Sequence, residues 1–257
     1  MVEQLKLITK RRSLILSSIF DDDFYIPQLR SSSHQFPNPR EASEEGLLAF
    51  GGDLNPNRIL KAYRTGIFPW FNSDDPIMWW SPNPRMILYP QEFKISKSFR
   101  RVLRNRGYEV KFDHNFEEVI SNCGDIPRPN QEGTWLTKEM KEAYIELHHM
   151  GFAHSVETYY NGELIGGLYG IAMGKIFFGE SMFSYMSDAS KVALCALSNI
   201  CVEKCYHFID CQVETPHMLR WGAKLVQRNT FLDQLEVGLE ESTDFGSWRD
   251  WAWQYNK

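Results

Sequence analysis

The sequence lacks several features that would assign a protein class at once. Its five cysteines form no Cys-x-x-Cys pair, which argues against a zinc knuckle or a redox motif. Cys201 and Cys205 could share a helix face, but a pair without suitably spaced histidines is more often core packing than a metal site. No apolar run approaches the roughly 20 residues that cross a bilayer. We therefore expect no metal, no membrane segment and a reducing, cytoplasmic environment.

A strong positive charge is also missing. The 257 residues carry a formal net charge of −5, which does not indicate a nucleic-acid-binding protein, although a local basic patch remains compatible with it. Hydrophobic residues make up 43% of the chain and aromatic residues 14%, so a packed globular protein is expected rather than a disordered one.

The two ends of the chain show little that resembles a domain. Lys10, Arg11 and Arg12 precede a short apolar run, which would suit a weak signal or transit peptide, but a poorly constrained extension is the favoured interpretation. The tail ends in a tryptophan-rich segment, Ser247 to Trp253, to which the sequence assigns no role. We expect an extension over 1–35, a small N-terminal domain over 36–84, a larger domain over 85–238 and a tail over 239–257.

A basic stripe is the strongest polyanion-binding signal in this acidic chain. A helix predicted from about Ser96 to Asn105 separates its residues into two faces at 100° per residue. The apolar face carries Ile95, Phe99, Val102 and Leu103, and the basic face carries Lys97, Arg100, Arg101 and Arg104. An ordinary solvated helix face explains the same pattern, and without further evidence it is the better explanation.

The order of predicted elements indicates an α/β (α+β) fold with a mixed, mainly antiparallel sheet. A helix from Thr137 to His149 precedes three strands, and Asn161-Gly162 and Met173-Gly174 form the turns between them. A helix to Lys204, a strand, a short helix and a last strand from Lys224 to Arg228 or beyond follow. Two proline-rich aromatic segments, 67–71 and 75–85, are expected to be ordered loops.

That order is the plan of acetyltransferase-like (GNAT-like) acyl-transfer domains, although a fold does not by itself give a function. Acyl-CoA domains of this type hold pyrophosphate on a Gln/Arg-x-x-Gly-x-Gly/Ala loop at a helix start, and this sequence contains no such loop. CoA is therefore not expected as the acyl donor, and no cofactor is predicted.

Two short segments carry candidate catalytic side chains. In the strand Phe208 to Val213, the alternation of side chains puts Asp210 and Gln212 on one face, either as a site or as a buried structural pair. Glu180 lies among aromatic residues near the end of a strand, where Gly179 could form a bulge. A carboxylate above such apolar side chains suits an amine, although most aromatic residues in a strand are simply core.

These segments belong to a larger set of motifs. They are Gly46-Leu-Leu-Ala-Phe-Gly-Gly-Asp-Leu54, Ala62-Tyr-Arg-Thr-Gly-Ile-Phe-Pro-Trp-Phe71, Trp79-Trp-Ser-Pro-Asn-Pro-Arg85, Gly133-Thr-Trp135, Phe178-Gly-Glu-Ser-Met-Phe-Ser184 and Ile209-Asp-Cys-Gln212. From about Phe36 to Leu235 the chain resembles the leucyl/phenylalanyl-tRNA-protein transferase family. The resemblance implies transfer of leucine or phenylalanine from aminoacyl-tRNA to proteins that begin with Lys or Arg, which marks them for degradation through the N-end rule.

The resemblance also implies roles for particular residues. Asp210, Gln212 and Glu180 stand at the catalytic positions. The aminoacyl side-chain pocket corresponds to Leu168, Phe177 and Met182, the terminal-adenosine site to Tyr63, Trp70, Trp135 and Tyr144, and the contacts with the tRNA acceptor stem to Lys97, Arg101 and Arg104. An apolar pocket separates side chains by only about 1 to 3 kcal/mol per methylene, so methionine is a further possible donor. A monomer is expected.

The segment Glu214 to Ala223 departs from the family, since it keeps the histidine and the Gly-Ala pair but not the usual Asn-Asp and Ser-Leu pairs. Two other functions stay open on the sequence alone. One is acyl transfer from a different thioester or ester donor, and the other is a tRNA-binding adaptor without chemistry.

Overall fold

A computed structural model describes residues 26–126 and 136–255, which fold around two β-sheets. Most of the predicted N-terminal extension lies outside these residues, and so does Trp135. The predicted division of the chain into four segments stays a prediction.

The smaller sheet contains four strands in the order β1-β2-β4-β3. They are β1 (Gln28–Leu29), β2 (Leu47–Gly51), β3 (Phe68–Pro69) and β4 (Met78–Trp80). Helix α1 (Pro56–Arg64) lies between β2 and β3 in sequence. Asn55 caps α1 by accepting a hydrogen bond from the backbone N–H of Asn57, and Pro56 occupies the first turn, as the sequence predicted.

The prediction of loops over 67–71 and 75–85 was wrong, because β3 and β4 form there. β4 pairs with β2 on one side and with β3 on the other, so it is an interior strand. Proline excludes only the positions that must donate to a neighbouring strand. Pro76 and Pro82 flank β4, and Pro69 lies in β3 at the end of the sheet order.

The larger sheet contains seven strands in the order β11-β5-β10-β9-β8-β7-β6. They are β5 (Arg85–Leu88), β6 (Glu109–Phe112), β7 (Ala153–Tyr160), β8 (Glu163–Met173), β9 (Ile176–Ser184), β10 (Phe208–Gln212) and β11 (Lys224–Val226). The pair β9 and β10 is parallel and its neighbours are antiparallel. The predicted mixed, mainly antiparallel sheet and the predicted order of elements from the meander onward, helix, strand, helix and strand, are confirmed.

Six helices pack around this sheet in the described residues. They are α2 (Lys97–Asn105), α3 (Phe116–Asp125), α4 (Lys138–His149), α5 (Ala189–Glu203), α6 (Pro216–Arg220) and α7 (Arg228–Leu239). The sequence did not predict α3 or α7. The strand expected to reach Arg228 or beyond ends at Val226, because α7 begins at Arg228 and buries Phe231, Leu232 and Leu235.

Helix α7 joins the smaller sheet to the larger one. The Arg228 guanidinium donates to the backbone carbonyls of Ala42 at 2.9 Å and Ser43 at 2.8 Å. Gly66, with φ of 76°, follows Thr65, the C-cap residue of α1, and a Cβ atom there would approach Leu232 Cδ2 to 2.5 Å. The left-handed backbone and the close packing both require glycine at this position.

The tryptophan-rich tail folds back onto the larger sheet. The Trp248 indole is 1% exposed and stacks on His154, with 3.8 Å between ring centroids, and on Trp251 at 4.1 Å. The backbone N–H of Trp248 donates to Asp113 Oδ2 at 2.8 Å, and the same carboxylate oxygen contacts Nδ1 of His154. The segment left unassigned from the sequence therefore contributes Trp248 to the core.

Within 26–126 and 136–255, no helix combines the length and the apolar character needed to span a bilayer.

We expect Trp248→Ala to lower the free energy of unfolding by about 3 to 5 kcal/mol, because it leaves a cavity where a buried indole packed. Denaturant titration followed by circular dichroism measures the change. Trp253→Ala is the matched control, since Trp253 lies in the same tail and is only partly buried, so its loss should be smaller. Equal losses would show that Trp248 does not anchor the tail.

Candidate active site

Glu180 occupies an irregular position in β9. The pairing register with β8 shifts at this point, since Gly170 pairs with Gly179 and Tyr169 pairs with Ser181. Glu180 is therefore the extra residue of a β-bulge, one position after the glycine at which the sequence allowed one. The bulge turns the Glu180 carboxylate toward Tyr63 in α1 and Tyr144 in α4.

Three side chains from three different elements meet at the Glu180 carboxyl group. The Tyr63 hydroxyl in α1 donates to Oε1 at 2.6 Å, and the Tyr144 hydroxyl in α4 donates to Oε2 at 2.9 Å. The Gln212 amide at the end of β10 donates to Oε1 through Nε2 at 2.7 Å. Burial raises the pKa of Glu180 from 4.5 to about 7, although these three hydrogen bonds act in the opposite direction.

The two tyrosine hydroxyls also contact each other at 2.6 Å. Three oxygen–oxygen contacts thus connect Tyr63, Tyr144 and Glu180, whereas two hydroxyls supply only two protons. When Glu180 is ionised, both hydroxyls donate to it and the contact between them has no proton. When Glu180 is protonated, it donates to one hydroxyl, which donates to the other, and every contact in the ring is a hydrogen bond. Burial raises the pKa of both tyrosines well above 10, so they remain hydroxyl donors.

Asp210 in β10 is completely buried and forms a two-pronged ion pair with Arg85 in β5. Arg85 Nε donates to Oδ1 at 2.9 Å and Nη2 donates to Oδ2 at 2.6 Å. The guanidinium lies between two aromatic rings, with its Cζ 4.7 Å from the ring centre of Phe68 and 4.5 Å from that of Phe231. This pairing gives both oxygens of Asp210 a charged hydrogen-bond partner.

Gln212 adopts a left-handed backbone conformation, with φ of 62°. The pairing of β10 with β5 is irregular between Asp210 and Gln212, so simple strand alternation no longer applies. A tight turn brings the two residues together, because the backbone N–H of Gln212 donates to Asp210 Oδ1 at 2.9 Å. The two residues are neighbours, but through a turn rather than through the shared strand face that the sequence predicted.

The residues predicted to bind the terminal adenosine occupy different environments. Tyr63 and Tyr144 are completely buried, and in this conformation no base can stack on their rings; their hydroxyls hold Glu180 instead. Trp70 is only partly buried and packs against Trp80, with 5.8 Å between ring centroids. Trp135 lies outside the described residues.

The three predicted pocket residues lie on one side of the larger sheet. Leu168 and Met182 are register partners in β8 and β9, and both belong to the same hydrophobic cluster as Phe177. Leu168 and Phe177 are buried, whereas Met182 keeps some exposure. The tyrosines that bind Glu180 belong to the other cluster, so the bulge at Glu180 stands between the two.

The predicted basic stripe is exposed along α2. Lys97, Arg100, Arg101 and Arg104 line a shallow depression of about 430 Å³, together with Asn105. None of the four cations forms a salt bridge with a carboxylate in the described part of the chain. Phe99, on the other face of α2, packs edge-on against Trp221 at 5.0 Å. The stripe is therefore free to bind an anion.

Sequence reasoning missed Arg85 and the role of the two tyrosines as partners of Glu180. Arg85 ends one of the recognised motifs, and an arginine flanked by apolar strand residues is a signal for a buried partner, but the sequence does not say which carboxylate it meets. The chain separates Arg85 from Asp210 by 125 positions.

The described residues contain no cluster of three or more histidine, cysteine or acidic side chains suited to a metal ion. The groups that meet at the site are a carboxyl group with a pKa near 7, an amide, two hydroxyls and a buried ion pair. Such groups can bind an amine, accept its proton and stabilise a polar transition state.

Comparisons with known proteins agree with this chemistry. Residues 87–236 match the family model described as leucyl/phenylalanyl-tRNA protein transferase, and residues 52–83 match the one described as the N-terminal domain of that transferase. The chain is 51% identical over 210 residues to the leucyl/phenylalanyl-tRNA–protein transferase of Sulfurimonas denitrificans, covering 82% of this chain and 91% of the relative.

A second relative with the same name, from Lawsonia intracellularis, is 45% identical over 236 residues, covering 92% of this chain and 99% of the relative. Among solved structures, an aminoglycoside acetyltransferase from an uncultured soil metagenomic sample overlaps with a TM-score of 0.32 and 12% identity, over 45% of this chain and 88% of that one. The two sequence relatives and the family models together show that this chain is an aminoacyltransferase and belongs to the leucyl/phenylalanyl-tRNA–protein transferase family.

Proposed function

We propose that this enzyme transfers leucine or phenylalanine from aminoacyl-tRNA to the α-amine of proteins that begin with Lys or Arg, and so marks them for degradation through the N-end rule. The observation that carries the proposal is the connected network of Glu180, Gln212 and Asp210, which joins a proton acceptor to an amide held at the surface of the sheet. Methionine is accepted as a further donor residue, because an apolar pocket discriminates weakly between side chains of this size.

The donor is an activated ester, so the chemical step needs little beyond a deprotonated amine and correct orientation. The acceptor nitrogen attacks the ester carbonyl, the new C–N bond forms and the C–O bond to the tRNA breaks. Of the two protons that the acceptor ammonium loses, one goes to the departing ribose oxygen and one leaves through the site. We assign its acceptance to the carboxylate of Glu180, with Gln212 orienting the amine by hydrogen bonding, since the carboxylate of Asp210 is already bound by Arg85.

Three features bind the aminoacyl end of the donor. We assign stacking on the terminal adenine to Trp70, whose ring keeps some exposure, and to Trp135, because a base on an aromatic ring contributes about 1 to 3 kcal/mol. We also place Tyr63 and Tyr144 near the terminal adenosine of the donor, where their hydroxyls bind Glu180. Leu168, Phe177 and Met182 form the wall that receives the aminoacyl side chain, with Met182 at its accessible edge.

The basic stripe of α2 supplies the contact with the acceptor stem. Lys97, Arg101 and Arg104 are exposed cations spaced along one helix face, which suits the phosphate backbone and carries little sequence information. That property fits an enzyme that accepts several tRNAs. We further propose that the enzyme works as a monomer in the cytoplasm, where its five free cysteines remain reduced.

The transfer reaction is tested with labelled leucine or phenylalanine on tRNA and two peptides that differ only in beginning with Arg or Ala. Wild type should label the Arg peptide alone. Asp210→Asn should lower the rate by at least about 100-fold and leave tRNA binding intact, because it weakens the network without deleting a buried group. Tight binding without labelling would indicate an adaptor, and labelling of the Ala peptide would contradict the acceptor specificity.

The contribution of the stripe is tested by the salt dependence of tRNA binding. Lys97→Ala with Arg101→Ala should weaken binding and reduce the slope of log Kd against log salt by about 2, since each phosphate contact contributes about one unit. Transfer at saturating donor should change little. Lys204→Ala is the matched control, because this exposed lysine follows α5 at the opposite end of β10 from Gln212. An unchanged slope in the double variant would show that the basic face of α2 is an ordinary solvated helix face.

The proton on Glu180 should make stability depend on pH. Folding raises the pKa of this carboxyl group from 4.5 to about 7, so its contribution is fully present below pH 4.5 and is lost as the pH rises through 7. The unfolding free energy of wild type, relative to Glu180→Gln, should therefore fall by at most about 3 kcal/mol between pH 4.5 and pH 8. Parallel pH profiles of the two proteins in denaturant titrations would show that Glu180 titrates normally.

A further inference from the structure

The Arg85 guanidinium is fixed on several sides without any contact that points to a substrate. Two of its nitrogens bind the two oxygens of Asp210, and the rings of Phe68 and Phe231 lie within 5 Å of its Cζ. The side chain is 1% exposed. Phe68 belongs to the smaller sheet and Phe231 to α7, so the packing of the two parts of the molecule holds this one cation in place.

The carboxylate that Arg85 binds also shapes the backbone at Gln212. A residue other than glycine with φ of 62° is strained by about 1 kcal/mol or more, and such a conformation persists only where its surroundings enforce it. The hydrogen bond from the Gln212 N–H to Asp210 Oδ1 enforces the turn, and that same oxygen accepts from Arg85 Nε. The position of Oδ1 is therefore set by the guanidinium.

The left-handed turn at Gln212 determines where the side chain of this residue lies. Its Nε2 donates to Glu180 Oε1 at 2.7 Å, and its amide oxygen has no hydrogen-bond partner among the residues that the structure describes. A continuous series of contacts therefore runs from Arg85 through Asp210 and Gln212 to Glu180. Lysine cannot replace Arg85 in this series, because a single ammonium group cannot reproduce the two parallel hydrogen bonds that a planar guanidinium makes with a carboxylate.

We propose that Arg85 is a positioning residue for the bond-forming step, because it orients Asp210 so that Gln212 is held in its left-handed turn with its amide at Glu180. This inference rests on the proposed function, since the step it governs is aminoacyl transfer. Arg85 acts through Gln212 and leaves donor binding to other residues. Its loss therefore lowers the rate of transfer from the bound donor and leaves the donor Kd unchanged.

A double-mutant cycle between Arg85 and Gln212 separates this role from a purely structural one. Single-turnover transfer is measured from the preformed complex of excess enzyme with charged tRNA, for Arg85→Lys, Gln212→Ala and the double variant. Arg85→Lys should lower the rate by about 10- to 100-fold, the usual effect of displacing a catalytic group by about 1 Å. The double variant should be no slower than Gln212→Ala, since Arg85 acts only through that side chain.

Arg228→Lys is the matched control, because Arg228 is also a buried arginine that joins α7 to the smaller sheet, but it binds backbone carbonyls. Its effect on the rate should be small and should be the same with and without Gln212. Effects of Arg85→Lys and Gln212→Ala that multiply in the double variant would overturn the proposal, and so would a wild-type rate in Arg85→Lys.

A readout that needs no activity distinguishes this inference from the proposed function. In ¹⁵N-labelled protein, the backbone amide proton of Gln212 should shift upfield in Arg85→Lys in the same direction as in Asp210→Asn, because both changes weaken its hydrogen bond. An unchanged resonance in Arg85→Lys overturns the inference even if wild type transfers label. A shifted resonance supports the positioning of Gln212 even if wild type transfers none, in which case the proposed function alone fails.

The lysine variant can fail to fold, since it leaves part of a buried carboxylate unpaired. Arg85→Gln, which keeps a planar donor, then takes its place in the same measurements. Failure of both variants to fold, judged by circular dichroism and tRNA binding, assigns Arg85 to stability and overturns the proposal.

Discussion

The buried ion pair of Arg85 and Asp210 is the interaction on which the site depends. A completely buried carboxylate needs a positively charged partner. The Arg85 guanidinium is that partner, and it binds both oxygens of Asp210. Because Arg85 is itself enclosed by Phe68 and Phe231, the pair is as rigid as the packing between the smaller sheet and α7. The strained turn at Gln212 is built on this rigid pair.

The Glu180 cluster connects the same two parts of the molecule at a second point. Tyr63 comes from α1, beside the smaller sheet, whereas Tyr144 comes from α4 and Glu180 from the larger sheet. A carboxyl group in this position keeps a pKa near 7, because burial outweighs the hydrogen bonds that favour its charged form. A group that titrates near neutrality suits proton transfer from an amine.

Parts of the chain outside the site serve to hold it. Arg228 fixes the loop at Ala42 and Ser43 onto α7, which in turn supplies the Phe231 ring against Arg85. The tail packs Trp248 onto His154, and through Phe177 it supports the strand that carries Glu180. Substitutions in the tail should thus act on stability before they act on chemistry.

The sequence by itself determined the elements whose signals are local. The capped helices α1, α2 and α4, the three-strand meander and the basic face of α2 follow from caps, turns and side-chain periodicity, which involve residues close in the chain. The motifs around Glu180 and Asp210 identified the family. Helices α3 and α7 and the interior strand β4 were missed, because tertiary packing rather than a strong local signal stabilises them.

Only the tertiary structure decided which groups meet. It paired Asp210 with Arg85 over 125 positions, moved Tyr63 and Tyr144 from an expected stacking surface to the carboxyl group of Glu180, and replaced strand alternation at Gln212 by a turn. Contacts over such separations depend on how the two sheets and α7 pack against one another, and no local pattern of residues encodes that geometry.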